Sequence, residues 1–177
     1  MNLFLVRALL TGLLIFILTS VSSGFELETQ YAVVTYDSEN VLKKFNKEVN
    51  LGSLSYLLRN KHSITIEDEV KNKIDVIIER VETILEMFPR ALIFRIVLMV
   101  SEEDVQIMFK NKYGKNVDYI AFYSPKDKTL YLSVRDVSLG VLAHEIAHVV
   151  IDCYYNISTP SKIHEVLAQY VETHLKD

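Results

Sequence analysis

The sequence predicts an α+β domain in which a small, mostly antiparallel sheet is followed by two closing helices. Three observations lead there. Short runs rich in β-branched and aromatic residues alternate with amphipathic stretches. Two of those runs, 118–123 and 129–133, are joined by Ser-Pro-Lys-Asp-Lys, which reads as a hairpin. From Val137 onward the pattern is helical, in two blocks separated by a short break.

Residues 1–24 read as a targeting segment rather than as part of the fold. One cation, Arg7, precedes the apolar run 8–18, and Thr19, Ser20, Ser22 and Ser23 lead to Gly24. A short apolar core between a positive residue and small polar ones is the signal-peptide pattern, with cleavage expected before Phe25. The protein is then expected to be secreted or periplasmic. The alternative is an uncleaved membrane anchor over residues 3–21, which Arg7 inside the span makes awkward. No Cys follows the run, so lipoprotein attachment has no acceptor. Residues 25–177, roughly 150 of them, are enough for one domain with a core that needs no disulfide or metal staple.

In that domain Gln30 to Tyr36 (QYAVVTY) is a strand by composition. Asp37 can cap a helix carrying Val41, Leu42, Phe45 and Val49 at helical spacing. Residues 66–88 form a long amphipathic helix whose stripe is Val70, Ile74, Ile77, Val81, Ile84, Leu85 and Phe88, closed by Pro89. Such a stripe faces a core. Ala91 to Val100 (ALIFRIVLMV) suits a central strand. Ser101, with Asp104 three residues on, caps a short helix that ends near Gly114. The last two helices cover about Val137 to Tyr154 and the segment after Thr159, with Thr159 as N-cap and Pro160 in the first turn.

Composition narrows the function classes. The net charge is −4, with both signs mixed along the chain and no basic block. That excludes nucleic acid as a partner, because phosphate binding needs a concentrated positive surface. The single cysteine, Cys153, allows neither a disulfide framework nor a Cys-based zinc site, and reads as a small apolar residue of a helix. Asn156-Ile157-Ser158 matches a glycosylation sequon, with meaning only in a eukaryotic secretory pathway.

The chemistry concentrates in Val141–Val150, VLAHEIAHVV, which holds His-Glu-x-x-His in an apolar, helical setting. One turn apart on a helix, His144 and His148 share a face and can converge on one ion. Glu145, one residue step round, can flank the metal without ligating it and take a proton from water. Buried unpaired, these groups would lose water at a cost of several kcal/mol for an ionised carboxylate, and a zinc ion removes that cost. The competing reading is a hydrogen-bonded polar cluster without metal. Glu165 on the next helix is the best third ligand, with its neighbour His164 as competitor, since helical pitch lets one of them face the site. His62 reads as a surface residue, and His174 as a solvated cation near a helix C-terminus.

His144-Glu145-x-x-His148 followed by Glu165-x-Leu167-Ala168-x-Tyr170 resembles the gluzincin class of zinc peptidases, the group that includes thermolysin. More closely, it is similar to the small bacterial "peptidase MA-like" domains. The resemblance implies a zincin-like fold, Zn2+ held by His144, His148 and Glu165, Glu145 as base and acid, and a peptide or protein substrate. It also implies that the strand before the active helix, Thr129 to Ser133, offers its edge to an extended peptide. Larger gluzincins carry a further subdomain that supplies a Tyr or His to the oxyanion. Here that donor has to come from elsewhere, and Tyr154, Tyr155 and Tyr170 are near in sequence. Asp152 and Gln169, each one turn beyond a ligand, are placed to orient the ligands. Two other classes stay open: a non-catalytic module binding a partner peptide at the sheet edge, and a metal-assisted hydrolase with another substrate.

Overall fold

The computed structural model describes residues 24–155 and 160–177. The leader, Thr159 as a cap and the sequon at Asn156 lie outside the described residues. Among those described, no helix is long and apolar enough to cross a membrane. The domain is α+β. Its strands are β1 (Phe25–Glu28), β2 (Ala32–Tyr36), β3 (Phe94–Met99), β4 (Ala121–Ser124) and β5 (Thr129–Ser133). Its α-helices are α1 (Glu39–Glu48), α2 (Ile66–Leu85), α3 (Glu102–Tyr113), α4 (Leu139–Tyr155) and α5 (Ser161–His174), with a 3-10 helix at Gly52–Leu58.

The sheet is mixed rather than mostly antiparallel. Its order is β1-β2-β3-β5-β4, with β2, β3 and β5 mutually parallel and antiparallel pairs only at the two ends. The reason is connection length. α1 and α2 lie between β2 and β3, and a crossover carrying helices can return the chain in the same direction. The hairpin is present, but its second strand inserts beside β3. Thr129 to Ser133 is therefore not the edge strand: β5 is buried along its whole length, and β4 forms the edge.

Strand alternation divides the core. Ile96 and Leu98 face the main core with Val34, Leu130 and Leu132, where α1, α2 and α4 pack. Val97 and Met99 face a satellite cluster with Val105, Phe122 and Tyr131, under α3. Caps set the helix bounds. Ser38, not Asp37, caps α1 by accepting from the Val41 N–H. Thr65 and Asp68 form a capping box at the start of α2. That helix stops before Pro89 is reached: Glu86 turns left-handed at φ 53°, and the Met87 N–H bonds back to the Glu82 carbonyl. Phe88 thereby leaves the stripe and is 63% exposed. Ser101 and Asp104 open α3 and Gly114 closes it at φ 69°, as the sequence indicates.

Candidate metal centre

α4 follows β5 almost directly. The Ser133 hydroxyl donates to Asp136 in the intervening turn, and the Ser138 hydroxyl accepts from the Val141 N–H at 3.3 Å to start the helix. The apolar face of α4, with Leu142, Ile146, Val149 and Val150, is fully buried. That burial fixes the rotation of the helix and turns His144 and His148 to the opposite side. Their rings sit 5.0 Å apart, edge to face.

α5 runs back along α4, so its first turns meet the middle of α4 and its later turns meet the start. Glu165 reaches both histidines, with Oε2 at 3.5 Å from His144 Nε2 and Oε1 at 3.6 Å from His148 Nε2. One ligand atom from each of the three residues falls within 4.8 Å of the others. Donors about 2.0–2.1 Å from a tetrahedral zinc stand roughly 3.3 Å apart, and the three residues form a group of candidate donors, two imidazoles and a carboxylate of the types zinc takes. His164, the competitor, stays outside this trio. Its ring stacks on that of His148 at 5.8 Å between centroids, and it lines the cleft beside the site.

The electrostatics suit the assigned roles. Burial, with the neighbouring His144 and His164, pushes His148 down to about 4, which keeps its imidazole neutral and able to ligate. Burial pushes the Glu145 carboxyl up to about 7; a hydrogen bond from the Tyr123 backbone N–H opposes this, and the charge of Glu165 adds to it. A carboxyl that exchanges its proton near neutrality is matched to acid–base work. Cys153 lines the same cleft, where burial pushes its thiol up and makes it a poor nucleophile.

A cleft of about 1230 Å³ opens over these groups and runs along β4 and its flanks, from Tyr119 to Lys128. Comparison of the chain with family models, curated proteins and solved structures found no match. The case for a function therefore rests on the site itself.

Two contributors were not legible in the sequence reading. Glu172, two turns after Glu165, places Oε2 3.4 Å from His144 Nδ1. The Nδ1 side of the His144 ring thus meets Glu172 and the Nε2 side meets Glu165. Gln169 does not touch a ligand but donates to the Glu172 carboxylate at 3.4 Å, and Gly140 leaves room for it against α4. Helical spacing from Glu165 could have found Glu172; attention to the next turn found Gln169 instead. The second contributor is Tyr123, whose backbone meets Glu145 and whose hydroxyl donates to Asp152 at 2.9 Å. Asp152 thus ties β4 to α4. Tyr154, Tyr155 and Tyr170 are not among the residues lining the cleft, whereas Tyr119 and Tyr123 are.

Glu172→Gln is expected to weaken zinc binding by about 10–100-fold with the fold intact, measured by competition with a chelator of known affinity. An unchanged dissociation constant would remove Glu172 from the site.

Proposed function

We propose that the protein is a zinc-dependent metallopeptidase. The observation that carries the reading is the convergence of His144, His148 and Glu165 beside a buried Glu145, in a cleft along an open sheet edge. Zinc, when bound, supplies a Lewis acid for the scissile carbonyl and a water of lowered pKa. The chain's own residues do the rest. His144, His148 and Glu165 hold the ion, and Glu172 keeps His144 in the ligating tautomer. Glu145 accepts the proton released from water and returns it to the departing amine nitrogen. The β4 edge lines up an extended peptide by main-chain hydrogen bonds, which read backbone rather than sequence.

Peptidase activity is favoured over a structural zinc site by the form of the donor set. Among the described residues the cluster has three members, and the Glu165 side chain is 64% exposed on the cleft side. A structural site closes its fourth position with protein, and a catalytic one leaves it open to water. The leader read from the sequence would place this activity outside the cytoplasm.

The test is the zinc content of the purified protein, wild type beside His148→Ala, with hydrolysis of a mixed peptide library before and after chelation. One equivalent of zinc in the wild type, its loss in the variant and chelator-sensitive cleavage are expected. No zinc after exposure to excess metal would reduce the trio to a hydrogen-bonded polar cluster.

A further inference from the structure

We propose that the cleft selects its peptide by one large apolar side chain, docked against Phe109 and Tyr119 on the α3 side of the β4 edge. The inference rests on the peptidase reading and names the substrate class for it. The Ser133 N–H donates to the Ile120 carbonyl at 2.9 Å, and β4 pairs with β5 in continuous antiparallel register from Ala121↔Leu132 to Ser124↔Thr129. Alternation of an antiparallel ladder then turns the main-chain groups of residues 120, 122 and 124 inward to β5 and those of Ala121 and Tyr123 outward. The Tyr123 N–H lies toward Glu145. The Ala121 N–H and carbonyl and the Tyr123 carbonyl face an arriving strand.

A peptide laid on that edge points successive side chains to opposite faces of the sheet. One set falls toward α4 and α5, where the metal trio sits. The other falls toward α3, and there it meets aromatic rings. Phe109 stands edge-on to Phe122 at 5.0 Å and to Tyr119 at 5.1 Å. All three line the same cleft as His144 and Glu145, and Tyr119 is 47% exposed. Beneath Phe109 and Tyr119, the side chains of Val105, Phe122 and Tyr131 are already buried as a satellite core. A Phe, Leu or Met side chain arriving here extends that core and leaves water. An acidic side chain would lose hydration against ring faces whose negative potential repels it.

The zinc-loaded protein is therefore expected to cleave a position-scanned peptide library with a preference at one position close to the cut bond. Phe, Tyr, Leu or Met should exceed Ala or Asp there by roughly 10–100-fold in kcat/KM, the range apolar pockets give. Tyr119→Ser, on an exposed ring, and separately Phe109→Leu, should each cut the Phe-to-Ala ratio by roughly five-fold or more while zinc stoichiometry holds. Cleavage with no preference at any position, or a preference that both variants leave intact, overturns this proposal and leaves the peptidase reading standing. Zinc bound without cleavage of any peptide overturns both.

Discussion

Glu145→Gln is expected to keep one equivalent of zinc and to lower peptide hydrolysis by about 10²–10⁴-fold, the usual worth of a positioned acid–base group. The amide oxygen can still accept from the Tyr123 N–H, so the side chain has reason to stay in place. The three proposed ligands are untouched. What the amide cannot do is take a proton and return it. The measurement is kcat/KM on one peptide, paired with metal content on the same sample; turnover equal to wild type would end the role assigned to Glu145.

The same variant has a second signature in protein stripped of metal. Folded Glu145 keeps its proton to about pH 7, whereas the unfolded chain releases it near 4.5. Its contribution to stability is therefore full at low pH and falls as pH rises through that window. His148 acts oppositely: the unfolded chain takes up a proton near pH 6.5 and the folded chain only near 4, so its contribution rises with pH. In wild type the two slopes, each about 1.4 kcal/mol per pH unit, oppose one another where the windows overlap. Glu145→Gln deletes the falling one. Variant minus wild-type stability from urea denaturation should then climb between about pH 4.5 and 7, and a level difference would show that Glu145 is not held protonated.

Ile146→Ala is expected to destabilise the domain by about 2–5 kcal/mol, with the urea midpoint lowered and the slope unchanged. Ile146 is fully buried on the side of α4 opposite the two histidines. Removing it deletes methyl groups from a packed site and leaves a cavity. Because the same helix carries both histidines proposed as ligands, zinc should recover part of the loss by binding only the folded form. A change within experimental error would mean that α4 is held mainly by other contacts.

The residues proposed to carry chemistry were easier to read than the sheet beneath them. His144, Glu145 and His148 announce themselves because their spacing matches one helical turn, and Glu165 because the next helix has to fold back on the first. Caps were legible for the same local reason, as at Ser101 and Gly114. Sheet order was not. Whether β5 lies outside β4 or between β4 and β3 depends on pairings between residues such as Ile96 and Leu130, far apart in the chain. Local pattern holds no record of that choice, and it moved the edge from Thr129–Ser133 to Ala121–Ser124. β1 and the 3-10 helix were also missed, being short and without strong periodicity.

The grip of β4 on Glu145 has a consequence for how this site tolerates change. The donor is the main-chain N–H of Tyr123, which every residue supplies except proline. Replacing the tyrosine ring removes the hydroxyl that reaches Asp152 but leaves that N–H in place. A survey of side-chain substitutions along β4 would thus score the strand as permissive and overlook its approach to Glu145. Tyr123→Pro alone would expose it, which places this contact almost beyond the reach of single-residue variation.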